Sequence, residues 1–404
     1  MNRFLLLLYF SFAFLLSGVD GSTPAQVNNL ISTLLQGYDK RTRPVNDQDK
    51  AVKIHISFYL SIVNDIDEVA EKFVTTGWLS LSWTDQNLVW DYAANHDIYS
   101  IHLNQNDIWK PDIVLKNGFT KFKEMGGSFY YVSVDSSGYV SWYPYEVFET
   151  RCSIDITHFP YDKQTCKIVF IVWSYSVNQV EIEKSPNGVD YYEFEENSVW
   201  TILDTESIVN KDKYESEIIF KIELQRKPKY FVMNMILPVL CLSLLSLLVF
   251  LIPVDAGEKM GYSITVFLSF AVFLSIISAE LPVNSESTST LSFYLVLQMG
   301  VGTLVLVISA IQLRLHHRKT TADMSQIFRK MVKLDRCLRC KSGCCLSKKV
   351  RAIEKNEIEE QGIHTDDDIE WTDVTSAIDF FGFWLFFIFN IVVTSYLFIS
   401  ITSS

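Results

Sequence analysis

The chain has 404 residues, 49% of them hydrophobic and 14% aromatic, with a formal net charge of −12 at pH 7. That length exceeds one ordinary domain, and that apolar fraction is enough for part of the chain to lie in a membrane. The acidic balance argues against nucleic acid as a partner, which needs a dense basic face, and favours cations.

Residues 1–21 carry Arg3, the apolar run FLLLLYFSFAFLL and small residues at Ser17, Gly18 and Gly21. This is the pattern of a secretory signal, so the mature chain is expected to begin near Ser22, outside the cell. From 22 to 229 short alternating runs recur: KIHISFYLSIV, FVTTGWLSLSW, FYYVSV, KIVFIVW and EIIFKIEL, with DSSG and SPNG as turn signals between some of them. Period-two alternation rich in aromatics predicts half-buried strands. Their number predicts an all-β, immunoglobulin-like sandwich preceded by a helix over 24–36. The mature sequence has no N-x-S/T sequon, so no N-glycan is expected. Cys152 and Cys166 are the two cysteines between the signal and the first apolar span, and in an oxidising lumen each has the other as partner. Their disulfide closes a loop of about 15 residues, worth roughly 3 kcal/mol on the chain-entropy model.

Four apolar segments follow, at 230–252, 257–281, 291–315 and 377–401, each near the length a membrane helix needs. Pro238 is expected to kink the first. A secreted N-terminus and four spans return 402–404 to the outside and place 316–376 in the cytosol. The basic residues from His316 to Arg351 fall there, as positive-inside bias requires. Within that connection, 322–334 sets Met324, Ile327, Phe328, Met331 and Leu334 on one face beside basic residues, as an interfacial helix on the inner leaflet or an ordinary solvated one. The run CLRCKSGCC lacks the partners of a zinc site and reads as reduced thiols, some of them palmitoylated. Asp366, Asp367, Asp368 and Glu370 form a solvated charge run, or line cytosolic exits for cations.

The second span reads GEKMGYSITVFLSFAVFLSIISAEL. As a helix, Glu258 to Glu280 extends about 33 Å, so the two acids sit at opposite membrane faces. Gly261, Thr265, Leu268, Val272, Ser275 or Ile276, and Ala279 recur at helical spacing, while Tyr262, Ile264, Phe267, Phe270 and Phe273 supply bulk elsewhere. Such a stripe either packs against other helices through small residues or lines a pore. Catalysis finds no foothold: HExxH, GxSxG and a phosphate-cradling glycine loop are absent, and the paired Glu195 and Glu196 have nothing to separate their pKa values. No cofactor and no metal site are expected.

The stretch CSIDITHFPYDKQTC, 152–166, resembles the signature of the Cys-loop family of pentameric ligand-gated ion channels, with FPYD between two cysteines separated by thirteen residues. WLSLSWTDQNLVW from Trp78, WKPDIVL from Trp109, Trp173 seven residues after Cys166, and QRKPKYF from Gln225 follow in the family's order. The span 257–281 is similar to the pore-lining second helix of nicotinic acetylcholine and serotonin type 3 receptor subunits.

That resemblance implies a homo- or heteropentamer in the plasma membrane, each subunit joining an extracellular sandwich to a four-helix transmembrane bundle. It also implies a small-molecule agonist and permeant monovalent cations. Leu268 would form an apolar girdle, extended by Val272 and Ile276, with rings of Glu258 inside and Glu280 outside. Anion-selective relatives carry a Pro-Ala insertion before this helix that VDAGEK lacks, which leaves an anion channel as the alternative. Gly261 stands where relatives place Ser or Thr, and their outer acid falls at Ala279, one residue before Glu280. By position, Trp173 and Tyr214 match the principal face of an interface site whose aromatic side chains box an ammonium group. Trp78, Ser133, Ser141 and Tyr143 match the complementary face. Lys116 replaces a tyrosine of nicotinic principal subunits, and TESIVNKDKYES lacks their adjacent cysteines. Both departures argue against acetylcholine, and for either a different ligand or a complementary subunit in a heteromer. Asp67, Glu68, Phe159, Pro160, Asp162, Arg226 and the loop from Pro282 match coupling positions, with a buried Glu68–Arg226 ion pair expected. A non-conducting scaffold receptor on the same fold would need no pore stripe ending in acids.

Overall fold

A computed structural model describes residues 21–191, 193–212, 214–254, 257–280, 288–318, 324–339 and 369–402. Residues 1–20 of the expected signal (1–21), Pro282, the cysteines at 340, 344 and 345 and the acids at 366–368 lie outside the described residues. The chain divides into two compact units: Met1–Asp67 with Glu71–Ser153 and Thr165–Leu224, and Glu68–Ala70 with Ile154–Gln164 and Gln225–Ser404.

In the first unit, α1 (Pro24–Leu35) begins behind Thr23, whose backbone N–H donates to the Gln26 side chain at 2.6 Å, with proline in the first turn where its missing N–H costs nothing. Eleven strands are found among the described residues: β1 (Val52–Asp67), β2 (Lys72–Thr84), β3 (Ser100–Asn104), β4 (Ile113–Leu115), β5 (Tyr131–Asp135), β6 (Tyr139–Trp142), β7 (Tyr145–Arg151), β8 (Lys163–Val172), β9 (Val180–Asp190), β10 (Trp200–Lys211) and β11 (Ser216–Arg226). Seven make one sheet in the order β3-β5-β6-β2-β1-β9, with β7 also pairing β2, and β10-β11-β8-β4 make the other. Alternation does the sorting. Along β11 every second residue from Ser216 to Arg226 is buried. Phe58 of β1 and Phe148 of β7 meet Phe170 of β8 and Phe220 of β11 at centroid distances of 5.3–6.1 Å, an aromatic core between the two sheets.

The SPNG stretch departs from expectation, because it lies inside β9 rather than between strands. Ile56 pairs with Lys184 and Phe58 with Val189, so the extra residues of β9 loop out as a bulge. Gly188 takes φ +66 there, and an added Cβ would meet Ser207 Oγ at 2.5 Å.

Among the described residues of the second unit four helices are long and apolar enough to cross a membrane: α2 (Lys229–Leu251), α3 (Glu258–Glu280), α4 (Thr290–His316) and α6 (Trp371–Thr402). Ahead of Pro238 the ladder of α2 widens to a π turn over Val232–Ile236, which accommodates the amide the proline cannot supply. Leu247, Val249 and Phe250 of α2 pack with Val301 and Val305 of α4 and Phe386 of α6. Helix α6 starts before the apolar run because Trp371, Val374 and Ala377 bury against Met324, Ile369 and Val332, the last from α5 (Gln326–Leu338). The expected single apolar face of α5 is therefore split. Phe328 and Met331 pack inward, while Ile327 (75% exposed) and Leu334 point out.

Candidate functional site

Pairing of Ile113 with Val172 and of Leu115 with Phe170 sets Trp173 beside Asp112 at one end of the β4–β8 ladder and Lys116 beside Val169 at the other. The Trp173 N–H donates to Asp112 O at 3.3 Å, and the next N–H, of Ser174, donates to Asp112 Oδ2 at 2.6 Å, so the WKPD acid shapes the turn carrying the indole. Trp173 is 60% exposed and meets Phe122 edge-on at 4.6 Å. Both rings line a cavity of about 340 Å³ with Lys110, Asp112, Glu124 and Trp142. Lys110 is engaged there by Glu124 at 2.6 Å.

Lys116 does not stand free. Its Nζ lies 2.7 Å from Glu215 and 2.8 Å from Glu217, both on or beside β11. Those hydrogen bonds, Glu215 first, raise the ammonium above its ordinary pKa. Burial works against the Glu217 charge, yet hydrogen bonds from Lys116 and Asn210 hold that carboxyl below its ordinary range. Tyr214, at the tip of the same hairpin, is exposed.

A second set stands on the seven-stranded sheet. Ser133 pairs with Ser141 and Ser141 with Ser82, so these hydroxyls share one face with Trp78, an even number of residues along β2 from Ser82. Trp78 stacks on Tyr59 at 5.1 Å and lies 6.3 Å from Tyr145, its cross-strand partner. Tyr143, in the turn between β6 and β7, is exposed.

A third cluster centres on Arg226. Its guanidinium is 1% exposed and reaches Glu68 at 2.6 Å and Asp162 at 2.8 and 3.1 Å, lying over Phe159 and Phe231 at 5.0 and 5.2 Å. Burial opposes its charge, but Asp162 and then Glu68 outweigh that and raise its pKa. Pro160, buried, follows Phe159 through a cis peptide. Asp67 ends β1 opposite Lys72. Thr290, at the head of α4, donates from N and Oγ1 to Thr157 O at 3.1 and 2.9 Å.

On α3, Glu258, Gly261, Thr265, Leu268, Val272, Ser275, Ile276 and Ala279 are all exposed in the single chain, whereas Lys259, Ser263, Val266, Phe270 and Ile277 are buried. Ile264 joins the exposed set, because it sits about 40° round the helix from Leu268.

Residues 27–228 match the family described as neurotransmitter-gated ion-channel ligand binding domain, and residues 235–343 match its transmembrane region. The chain belongs to the neurotransmitter-gated ion-channel family. Members of this family are ligand-gated channels, not enzymes, and assembly as a pentamer is general for it. The chain is 32% identical to neuronal acetylcholine receptor subunit alpha-4 of Homo sapiens over 317 residues, 76% of this chain and 50% of that protein. It is 33% identical to neuronal acetylcholine receptor subunit beta-3 of Rattus norvegicus over 297 residues, 72% and 64% of the two chains. With acetylcholine receptor subunit alpha-type acr-16 of Caenorhabditis briggsae it shares 34% over 309 residues, 74% and 61%. The chain spans about half to two thirds of the length of these curated relatives.

In this family member, Cys152 and Cys166 are joined, with Cα atoms 5.2 Å apart. Trp173 and Lys116 stand at opposite ends of the β4–β8 ladder, and the hairpin bearing Tyr214 reaches Lys116 through Glu215. Trp78, Ser133 and Ser141 gather instead on the other sheet. Among the residues that escaped the sequence reading are Phe122 against Trp173, Glu215 and Glu217 on Lys116, and Tyr59 and Tyr145 around Trp78. Tyr145 carried a usable signal, two residues beyond Tyr143 in an alternating run.

Proposed function

We propose that the chain is a plasma-membrane subunit of a pentameric, cation-selective channel opened by a small extracellular ligand. The uncovered face of α3 carries this reading: acidic at Glu258, small at Gly261, hydroxylic at Thr265, then apolar through Leu268 and Val272. Five copies around an axis give an inner ring of carboxylates that gathers cations and an apolar girdle that dewets when narrow. VDAGEK, without the Pro-Ala insertion, supports cations over anions.

The ligand sits between the Trp173, Tyr214 and Lys116 face of one subunit and the Trp78, Ser133, Ser141 and Tyr143 face of the next. Two carboxylates on one ammonium leave the Lys116 cluster net negative, which favours an amine over an anion. Ligand binding reaches the pore through the Arg226 cluster and the contact of Thr157 with Thr290. A second reading, a complementary subunit needing a partner, is favoured by the absence of adjacent cysteines from the β10–β11 hairpin.

Expression of the chain in oocytes under voltage clamp, with a panel of amines, amino acids, protons and neutral ligands, tests both. Currents whose reversal potential follows sodium are expected; reversal that follows chloride refutes cation selectivity. Silence despite good surface density, relieved by a co-expressed relative, selects the complementary reading.

A further inference from the structure

Glu258 and Lys259 are neighbours at the base of α3, yet their side chains part company. Glu258 is exposed, while Lys259, about 100° round the helix, is 4% exposed. The Lys259 ammonium pairs with Asp379 of α6 and lies 6.0 Å from the centre of the Phe250 ring of α2. The same Asp379 oxygen accepts from Gln312 Nε2 of α4 at 2.9 Å, and Gln312, fully buried, also donates to the Thr375 carbonyl at 3.3 Å. One carboxylate therefore collects a cation from α3 and an amide from α4.

Bundle packing alone does not ask for this. Buried charges within a membrane are costly, and apolar contacts such as Phe250 on Phe386 already join α2 to α6. What the pair achieves is electrostatic. A lysine one residue from Glu258, if released, would lie within reach of that carboxylate and cancel its charge at the inner mouth.

We infer that Asp379 is a positioning residue for ion permeation: by holding Lys259 inside the bundle it leaves the exposed Glu258 charge uncancelled. The inference rests on the reading of α3 as the pore helix. Five subunits would repeat the arrangement, so one substitution in α6, remote from the pore face of α3, acts five times on the ion path.

The test uses the full-length chain and its Asp379→Asn, Lys259→Gln, Asp379→Glu and double Lys259→Gln/Asp379→Asn variants. Single-channel conductance is the readout, because it is independent of how many channels fold and reach the surface. Asp379→Asn is expected to lower unit cation conductance by about twofold or more. The double variant restores it, and Asp379→Glu keeps it near that of the parent. Unchanged conductance in Asp379→Asn, or a loss the double variant leaves uncorrected, overturns the inference. The parent's reversal potential reports separately on the channel assignment. If it follows chloride, that assignment fails, and the positioning role stands only if Asp379→Asn raises unit conductance. If the chain passes no current, the purified full-length proteins are treated with a small amine-reactive ester and Lys259 is read by mass spectrometry. Protection in the parent with several-fold faster labelling in Asp379→Asn supports the inference; equal labelling refutes it.

Discussion

Arg226 holds its charge between two carboxylates and two aromatic rings while almost wholly buried. Arg226→Ala leaves Asp162, 2% exposed, without its cation, and is expected to cost about 3–5 kcal/mol and most of the surface density measured by labelling intact cells. Arg226→Lys keeps charge but loses the fork that bonds two acids at once, so surface density recovers further than agonist-evoked current. Exchanging charges, Glu68→Arg with Arg226→Glu, is expected to fail in both assays, because Asp162 would then face a second carboxylate. Lys116 is a milder case: it is 41% exposed, so its clamp is worth roughly 1 kcal/mol or less. The sign of its pH dependence follows from both partners. Glu217, lowered, contributes stability that is complete above the ordinary carboxylate value of about 4.3 and is lost as pH falls through its folded value. Lys116, raised, contributes stability present below about 10.4 and lost as pH rises through its own. Hydrogen exchange in the β10–β11 hairpin should therefore be flat between about pH 6 and 9 once corrected for intrinsic rates, and quicken in acid.

At the scale of elements, α3 has a covered face and an uncovered one, and substitutions on the second disturb no packing. Leu268→Ser is expected to wet the proposed apolar girdle and give current without ligand, read as a holding current that a pore blocker removes. Gly261 has nothing within 4 Å of an added Cβ, so the hydroxyl that relatives carry there would fit without displacement. The strands divide differently. Long runs such as β1, β2 and β11 were legible from alternation, because their neighbours alternate between core and solvent along the chain itself. Short β4 and the bulged β9 were not singled out, since pairing with β8 and with β1 respectively holds them. A three-residue strand has no period to read.

For the whole molecule, the two proposed half-sites stand on different sheets of one chain, Trp173 after β8 and Trp78 on β2. If neighbours complete them, Trp173→Ala and Trp78→Ala subunits are each unresponsive to ligand. Co-expressed, they should recover part of the response, because some interfaces then hold both tryptophans, and dose–response recordings read this directly. Agonist responses that stay absent in every mixing ratio would place both tryptophans within one site of one chain. By itself the sequence determined the fold class, the four spans, the cysteine partnership and the periodic stripe of α3. Each is written in local spacing, which hydrophobic periodicity and compartment chemistry translate without knowledge of distant contacts. Only the tertiary structure decided that Lys116 meets Glu215 and Glu217, that Arg226 serves Asp162 as well as Glu68, and that Lys259 is drawn to Asp379. Those partners lie 64 to 158 residues apart in the chain, and strand register and helix packing, not sequence spacing, bring opposite charges within hydrogen-bond reach.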